Sequence, residues 1–471
     1  MIIRDKFYIG GQWVDSVGVE DKIVVNPATE EPFAKVRRGN AEDVDRAVKA
    51  AAGAFESWSL TSHEERSAIF RKMAQIMERR ADEITRTIVS EIGQAIGGAK
   101  AMQTAGPIRE LNLFADLIPE IVWNEQVDNT NVRRVPAGVV GAMVAWNAPM
   151  GSVVTKAGAA MAAGCTVVMK SSEPAPLSAF IFAEICDEAG VPPGVLNVVS
   201  GAGRVVGDAI ALHPLVDMVS LTGSVIAGSH LMELAAKGIK RISLELGGKS
   251  ANIIFEDTDL ERAVNDGIDD AFRNGGQVCG GLTRMLVQRS RLAEAEALAV
   301  KKAESFVVGD PFDAKTTLGP VVSADARKRV RGYIQSGIDE GLKLLTGGVD
   351  TPEGVNRGFF VRPTVFVGHN QATLAREEIF GPVIVIIPFD DEDDAVRIAN
   401  DSQYGLGGGI WAASSERARA VAARIRTGRV RINGAPLTKR APHGGFKLSG
   451  IGREWGRVGI EEFLEYQSVI G

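Results

Sequence analysis

Apolar residues recur at three- and four-residue spacing over residues 42–55 and again over 64–92, with alanines and paired charges between them. Both stretches predict amphipathic helices, so the N-terminal third reads as mostly helical after a short opening. From about residue 137 the rhythm changes, and short β-rich runs alternate with helical ones. The strand candidates are 138–145, 166–170, 195–199, 218–222 and 241–246, with helices over 154–163, 177–189, 204–212 and 229–237. That alternation predicts a parallel sheet covered by helices on both faces. A second α/β set follows, with strands near 251–255, 285–288, 364–367, 383–387 and 428–433. The two sets meet at Gly247-Gly248-Lys249. Paired halves of this kind place a ligand in the crevice between them.

Composition narrows the function classes. The 471 residues suit two or three domains, and 53 Lys and Arg against 59 Asp and Glu leave a net charge of −6 with no long basic run. A nucleic-acid partner is therefore not expected. The three cysteines, Cys165, Cys186 and Cys279, are too few for a disulfide framework and fit a reducing, cytoplasmic setting. The opening Met1-Ile2-Ile3-Arg4-Asp5-Lys6 places charges where a signal peptide needs its apolar core. Residues 150–169 are apolar, but Lys156 and several glycines interrupt them, so a helix and a buried strand are expected there and no membrane span. No CxxC pair, HExxH or His/Cys cluster appears, and no metal site is expected.

The candidate chemistry centres on Asn274-Gly275-Gly276-Gln277-Val278-Cys279-Gly280-Gly281. A helix with apolar positions Leu260, Ala263, Val264, Ile268, Ala271 and Phe272 precedes it, opened by a Thr258-x-x-Glu261 capping box. An isolated free cysteine is ordinarily a small core residue, and Cys165 and Cys186 read that way. The four glycines and the Asn/Gln pair around Cys279 instead favour a thiol that substrate can approach. A nucleophilic thiol needs a base, and none of the five histidines carries a cysteine-protease signature. Glu245, in Leu244-Glu245-Leu246-Gly247-Gly248, could be a surface or ion-paired acid, but the end of a parallel strand is where α/β ligands bind. Asn147, in Ala145-Trp146-Asn147-Ala148-Pro149, is either a plain turn residue or an amide aimed at an oxyanion. Gly201-x-Gly203-x-x-x-Gly207 misses the dinucleotide spacing by one residue. Thr222-Gly223-Ser224 follows a strand and opens a helix whose free N–H groups could hold a pyrophosphate, and Lys170-Ser171-Ser172-Glu173 could meet ribose hydroxyls.

Together these motifs resemble the aldehyde dehydrogenase superfamily, in its hydrolytic, non-acylating branch, over nearly the whole chain. Besides the segments above, the resemblance includes Glu378-Ile379-Phe380-Gly381-Pro382 and the block Pro442-His443-Gly444-Gly445-Phe446-Lys447-x-Ser449-Gly450-x-Gly452-Arg453-Glu454. It implies two doubly wound α/β domains plus a small β extension for subunit association. The dinucleotide-binding domain would be 1–116 with 137–247, the catalytic domain 248–459, and the extension 117–136 with 460–471. It further implies a homodimer or homotetramer oxidising a small aldehyde to the acid with NAD, and more weakly with NADP. Cys279 would form a thiohemiacetal and then a thioester, Asn147 would meet the oxyanion, Glu245 would activate water, and Lys170 would complete the catalytic set.

The cofactor would touch Val144, Ala145, Trp146, Asn147, Lys170, Ser172, Glu173, Gly203, Gly207, Thr222, Gly223, Ser224, Leu246, Gly247, Glu378 and Phe380. Met150, Val278 and His443 would line the substrate pocket. The chain departs from the family pattern at Val225, where Thr is usual, and at His443, where many members carry Phe. A CoA-acylating semialdehyde dehydrogenase would lack the glutamate. A cofactor-free thiol hydrolase would need a histidine partner and no dinucleotide motifs. A non-catalytic protein of this fold would have no reason to keep Cys279, Glu245 and Asn147 together.

Overall fold

The computed structural model describes all 471 residues, Met1–Gly471. Two large sheets organise it. The first has eight strands in the order Gly450–Ile451, Arg241–Glu245, Met218–Thr222, Val139–Met143, Thr166–Lys170, Leu196–Val199, Lys6–Ile9 and Gln12–Asp15. Its five central strands are parallel. The order of these five reverses between Val139–Met143 and Met218–Thr222, and such a reversal opens a crevice at the strand ends. The loops at this crevice are Val144-Ala145-Trp146-Asn147 on one side and Gly223-Ser224 on the other.

The second sheet runs Lys343–Thr346, Thr364–Val367, Val383–Phe389, Arg284–Gln288, Ala251–Ile254, Gly408–Trp411 and Arg431–Ile432. All its pairings are parallel except the first.

Period-two alternation decides the core of both sheets. Val140, Ala142, Val167 and Met169 pack into one apolar cluster of the first sheet, whereas Val139, Met143, Val168 and Val219 pack into another. In the second sheet Ile253, Leu286, Val385 and Ile387 separate in the same way from Ile254, Met285, Val287 and Ile386. Strands buried on both faces are the mark of a doubly wound α/β fold, as the sequence predicts. A three-stranded antiparallel sheet of Asn124–Val127, Thr130–Pro136 and Leu464–Ile470 stands apart from both. No helix is long and apolar enough to cross a membrane.

The structure corrects several local expectations. The opening is not short: Ile2–Arg4, Lys6–Ile9, Gln12–Asp15, Asp21–Val25 and Pro32–Arg37 are all strands. These brief strands gain their partners far away, as Tyr8 does opposite Val198, so local periodicity does not reveal them. The stretch 64–92 is two helices, His63–Arg79 and Ala81–Ile92, broken where Arg80 leaves helical geometry. The helix Leu260–Phe272 is capped by Asp259, not Thr258: the Asp259 carboxylate accepts the Arg262 N–H at 3.1 Å, one residue later than the capping-box reading. Gly408–Trp411 is a central strand despite its glycines, and 428–433 shrinks to Arg431–Ile432.

Phe70 tests the packing of the first sheet. It is fully buried and meets Phe114 edge to face, with ring centroids 5.9 Å apart. Phe70→Ala should cost about 3–5 kcal/mol and lower the urea midpoint accordingly.

Candidate active site

The thiol loop is built by backbone curvature and held by two amides. After the helix ending at Phe272, Asn274, Gly275 and Gly276 take left-handed backbone angles in succession (φ 54, 66 and 72°) and reverse the chain. A Cβ on Gly276 would overlap the Gly381 carbonyl, so glycine is required for this close approach. The Gln277 side chain is fully buried. It donates to the Asn274 carbonyl at 3.0 Å and accepts the Val322 N–H at 2.9 Å. Asn274 donates to the Asn147 carbonyl at 3.0 Å, and Gln103 reaches the same carbonyl at 3.1 Å. The Asn147 amide donates to the Gln277 carbonyl at 2.9 Å. Asn147 and the loop therefore hold each other across the two sheets.

Cys279 is partly exposed at the end of this turn, and its Sγ lies 3.8 Å from Glu245 Oε1. Burial, reinforced by the Glu245 charge, pushes the thiol up to about 12. At neutral pH the resting cysteine is thus a thiol, and the carboxylate beside it is placed to take the proton. Glu245 itself is buried, at the end of its strand, where Gly450 pairs with it from the edge. Its Oε1 also receives His443 Nε2 at 2.9 Å, whereas Oε2 is buried with no partner.

Arg429 Nη1 lies 3.2 Å from His443 Nδ1. A guanidinium can only donate, so Nδ1 holds the lone pair and the imidazole proton sits on Nε2, pointing at Glu245. Donor atoms of Glu245, Cys279 and His443 fall within 4.8 Å of one another, close enough for a small metal ion. The chemistry does not fit one, because a metal would need the Nε2 lone pair that Arg429 forces into N–H form.

Comparison with known proteins follows this geometry. The model of the aldehyde dehydrogenase family matches residues 13–469. The chain belongs to the aldehyde dehydrogenase family. It is 46% identical over 468 residues to 3-succinoylsemialdehyde-pyridine dehydrogenase from a Pseudomonas species, covering 99% of this chain and 98% of that one. Aldehyde dehydrogenase C from Pseudomonas syringae, solved as a cysteine-to-alanine variant with NAD+ and octanal, superimposes with a TM-score of 0.98. It is 45% identical, with 99% and 96% of the two chains covered. The Mycobacterium tuberculosis aldehyde dehydrogenase complexed with NAD+ gives 0.97 at 41% identity, covering 100% and 98%.

Within this aldehyde dehydrogenase most of the remaining residues read from the sequence sit on strand ends and loops of the two sheets. The Val144 N–H donates to the Lys170 carbonyl at 3.3 Å, and the Ala145 N–H donates to Ser152 Oγ at 3.0 Å. Lys170 is buried and donates to the Ser171 carbonyl at 3.0 Å; burial pulls its ammonium down to about 8, against the attraction of Glu173. Ser172 is also buried. Beside Lys170, Gly207 makes only ordinary contacts, and a side chain on Gly203 would meet open space. Thr222 ends its strand, Gly223 donates to the Glu245 carbonyl at 3.0 Å, and Ser224 caps the helix Val225–Ala236. That helix starts four residues earlier than predicted, which puts the glycine turn at its N-terminus.

On the far side of the crevice, Glu378 Oε1 accepts the Gly248 N–H at 3.1 Å and its carboxylate fills the space beside Gly247. Burial lifts it to about 7. Phe380, at φ 56°, meets Trp146 edge to face at 5.5 Å. The Leu246 N–H donates to the Ser449 carbonyl at 3.0 Å. Among the expected pocket residues, Val278 is partly exposed, but Met150 shows no exposed surface and packs in the core of the first sheet. His443 is held at both ring nitrogens and is buried against Glu245.

Sequence reading missed the parts played by Arg429, Arg38 and Lys156. Arg429 lay within the expected strand 428–433, and Arg38 was not singled out. Arg38 in fact grips Glu173 Oε1 through Nε at 2.8 Å and Nη2 at 2.6 Å. Lys156, visible only as a charge interrupting an apolar run, is fully buried and binds Glu454 Oε1 at 2.8 Å and Ser220 Oγ at 3.0 Å. Burial alone would raise the Glu454 carboxyl; Lys156 and Lys439 hold it below the usual range. The only signal for the Lys156–Glu454 pair was a lysine inside a stretch too apolar to be surface.

The loop geometry makes a direct prediction. Gly276→Ala should displace the thiol loop from Gly381 and lower kcat/KM at least about a hundredfold, as misplacement of reacting groups by about an ångström does. Circular dichroism should still show the folded α/β chain, with the melting transition lowered by the strain at this position.

Proposed function

We propose that this chain oxidises an aldehyde to the carboxylic acid, with NAD as hydride acceptor, through a thiohemiacetal and a thioester on Cys279. The observation that carries this reading is the Cys279 thiol 3.8 Å from the buried Glu245 carboxylate, on a loop anchored by Asn147. Glu245 removes the thiol proton as sulfur attacks the carbonyl carbon. The developing oxyanion is stabilised by the Cys279 N–H and by the second N–H of Asn147, the first being committed to the Gln277 carbonyl. Bound NAD accepts the hydride that leaves the thiohemiacetal carbon. Once that first proton has passed to solvent, Glu245 takes a proton from water as it attacks the thioester; the acid leaves, and the proton on Glu245 returns to the departing thiolate.

The dinucleotide fits the crevice on the chain's own terms. Lys170 has one intramolecular acceptor for three N–H donors, Ser171 Oγ is buried without a partner, and there is open space at Gly203. The helix after Ser224 points its N-terminus at the same crevice, suited to a pyrophosphate. NAD is also bound in the P. syringae and M. tuberculosis relatives. The presence of Glu245 beside the thiol supports hydrolysis over transfer to coenzyme A, and the crevice supports a dehydrogenase over a cofactor-free hydrolase.

Residues 1–116 with 137–247 would form the dinucleotide domain, 248–459 the catalytic domain, and 117–136 with 460–471 the extension. Leu464–Ile470 supports self-association into a dimer or tetramer. It is an open edge strand exposing Tyr466, Val469 and Ile470, and such edges are ordinarily covered. The three unpaired thiols suit a cytoplasmic location.

Two measurements check this. Cys279→Ala should abolish aldehyde-dependent NADH formation while NAD binding persists. Glu245→Gln should slow the NADH burst, because the thiol loses its proton acceptor, and should slow steady turnover by about 10²–10⁴-fold, because the attacking water loses the same base. A steady rate equal to that of the unaltered chain would remove Glu245 from the mechanism. For the cofactor, the Glu173 carboxylate opposes a 2′-phosphate, but the Arg38 ion pair offsets part of its charge. NAD should be preferred by about tenfold in kcat/KM, a difference of about 1.4 kcal/mol. Glu173→Ser, which frees Arg38 to face the phosphate, should narrow or invert that ratio at matched ionic strength.

A further inference from the structure

We infer that His443 is a positioning residue for the general base: it orients the Glu245 carboxylate beside Cys279 and donates to it. This rests on the reading of Glu245 given above and goes beyond it, since the resemblance placed His443 only as a pocket wall.

The ring has one possible proton arrangement. Arg429 Nη1 donates to Nδ1 at 3.2 Å, so the proton lies on Nε2 and is donated to Glu245 Oε1 at 2.9 Å. A second ring proton would sit on Nδ1 and confront the guanidinium, so the tautomer that the geometry supports carries its proton on Nε2. The ring cannot swing away. It is stacked on Trp455 with centroids 4.3 Å apart and planes at 21°, and its backbone exchanges two hydrogen bonds with Glu454 at 2.8 and 2.7 Å. Lys439 Nζ covers the Trp455 ring at 4.1 Å and closes that side.

The oxygen that receives the His443 proton is the one that faces sulfur at 3.8 Å; the other oxygen is buried without a partner. The His443 bond is therefore the only side-chain donor, besides the weak thiol, that compensates this carboxylate for its lost water. It also sets the rotation of the carboxyl group and leaves the unpartnered Oε2, with the remaining lone pair of Oε1, to take the proton from the thiol or from water.

Other charges surround the pair. Arg429 attracts Glu245 and Glu378 repels it, while Glu454, paired with Lys156, lies beside His443. Glu454 keeps Lys156 and Glu378 keeps the Gly248 N–H when His443 alone is changed, whereas Arg429 loses its acceptor, so His443→Gln, which can still accept from Arg429, separates the Nε2 bond from that loss. A donor on the charged form lowers a carboxyl's pKa, and its removal raises it. Because the base works only when ionised, the acid limb of the deacylation rate must then move to higher pH.

The test measures the NADH burst and steady turnover from pH 5 to 9 for the unaltered enzyme, His443→Phe, His443→Gln and His443→Asn, with Glu245→Gln as reference. Melting temperature and NAD binding, followed by fluorescence, establish folding. In His443→Phe an NADH burst should still be seen, the acid limb should rise by about one pH unit, and turnover should fall up to about tenfold at pH values below both limbs, with little change on the plateau. Gln can donate to Glu245 and accept from Arg429, so His443→Gln should return the limb near its original place. Asn is too short to reach Glu245 and should behave like Phe, which keeps the test available if Phe does not fold. An unmoved limb in Phe and Asn, or equal shifts in Gln and Asn, would overturn the inference and leave only a packing role. Unchanged steady turnover in Glu245→Gln would instead refute the reading of Glu245 itself.

Discussion

An ionised carboxylate taken out of water must be given donors in return, and in this protein that demand falls on Glu245. Its strand ends inside the molecule, next to the edge residue Gly450, with no bulk solvent to hold the charge. The answer is a short chain of contacts. Arg429 fixes the tautomer of His443, His443 donates to Glu245, and Glu245 faces the thiol of Cys279. Each link sets the next one. Without Arg429 the imidazole could turn its lone pair toward the carboxylate, and two acceptors would then face each other in a buried site.

These links come from separate elements, so the site needs both sheets in register. Glu245 lies on the first sheet and Cys279 on a loop leading into the second, while His443 and Arg429 come from the C-terminal part of the chain. The junction is fastened by amides: Asn147 and Asn274 each bond to backbone across it, and Gln277 ties the loop down to Val322. Amides suit this position because they donate and accept without the desolvation cost of a buried charge. The same junction lies beside the strand-order reversal of the first sheet, where an α/β fold leaves a crevice for a ligand.

Charge is handled differently at the two ends of the crevice. Near the thiol, buried acids and bases are paired: Glu454 with Lys156, and Glu245 with His443. At the outer end, Glu173 and Arg38 form a partly exposed ion pair. A buried pair broken by losing one member leaves an uncompensated charge, whereas an exposed pair can exchange partners at little cost. The outer pair is therefore the adaptable part of the crevice and the inner pairs are the fixed part.

What the sequence determined by itself was whatever depends on local periodicity and short spacing. The central strands Thr166–Lys170 and Met218–Thr222, the helix Leu177–Ala189 and the glycine-flanked cysteine were legible because hydrophobic alternation and turn residues act over a few positions. The motifs sufficed to indicate the family. The brief N-terminal strands, the break at Arg80 and the glycine-rich strand Gly408–Trp411 were not legible, since their stability comes from partners distant in the chain. The same holds for the chemistry. Cys279, Glu245 and Asn147 could be nominated from their motifs, but the roles of Arg429, His443, Arg38 and Lys156 could not. A side chain's tautomer, its ion partner and its exposure are set by what packs against it, and only the tertiary structure decides that.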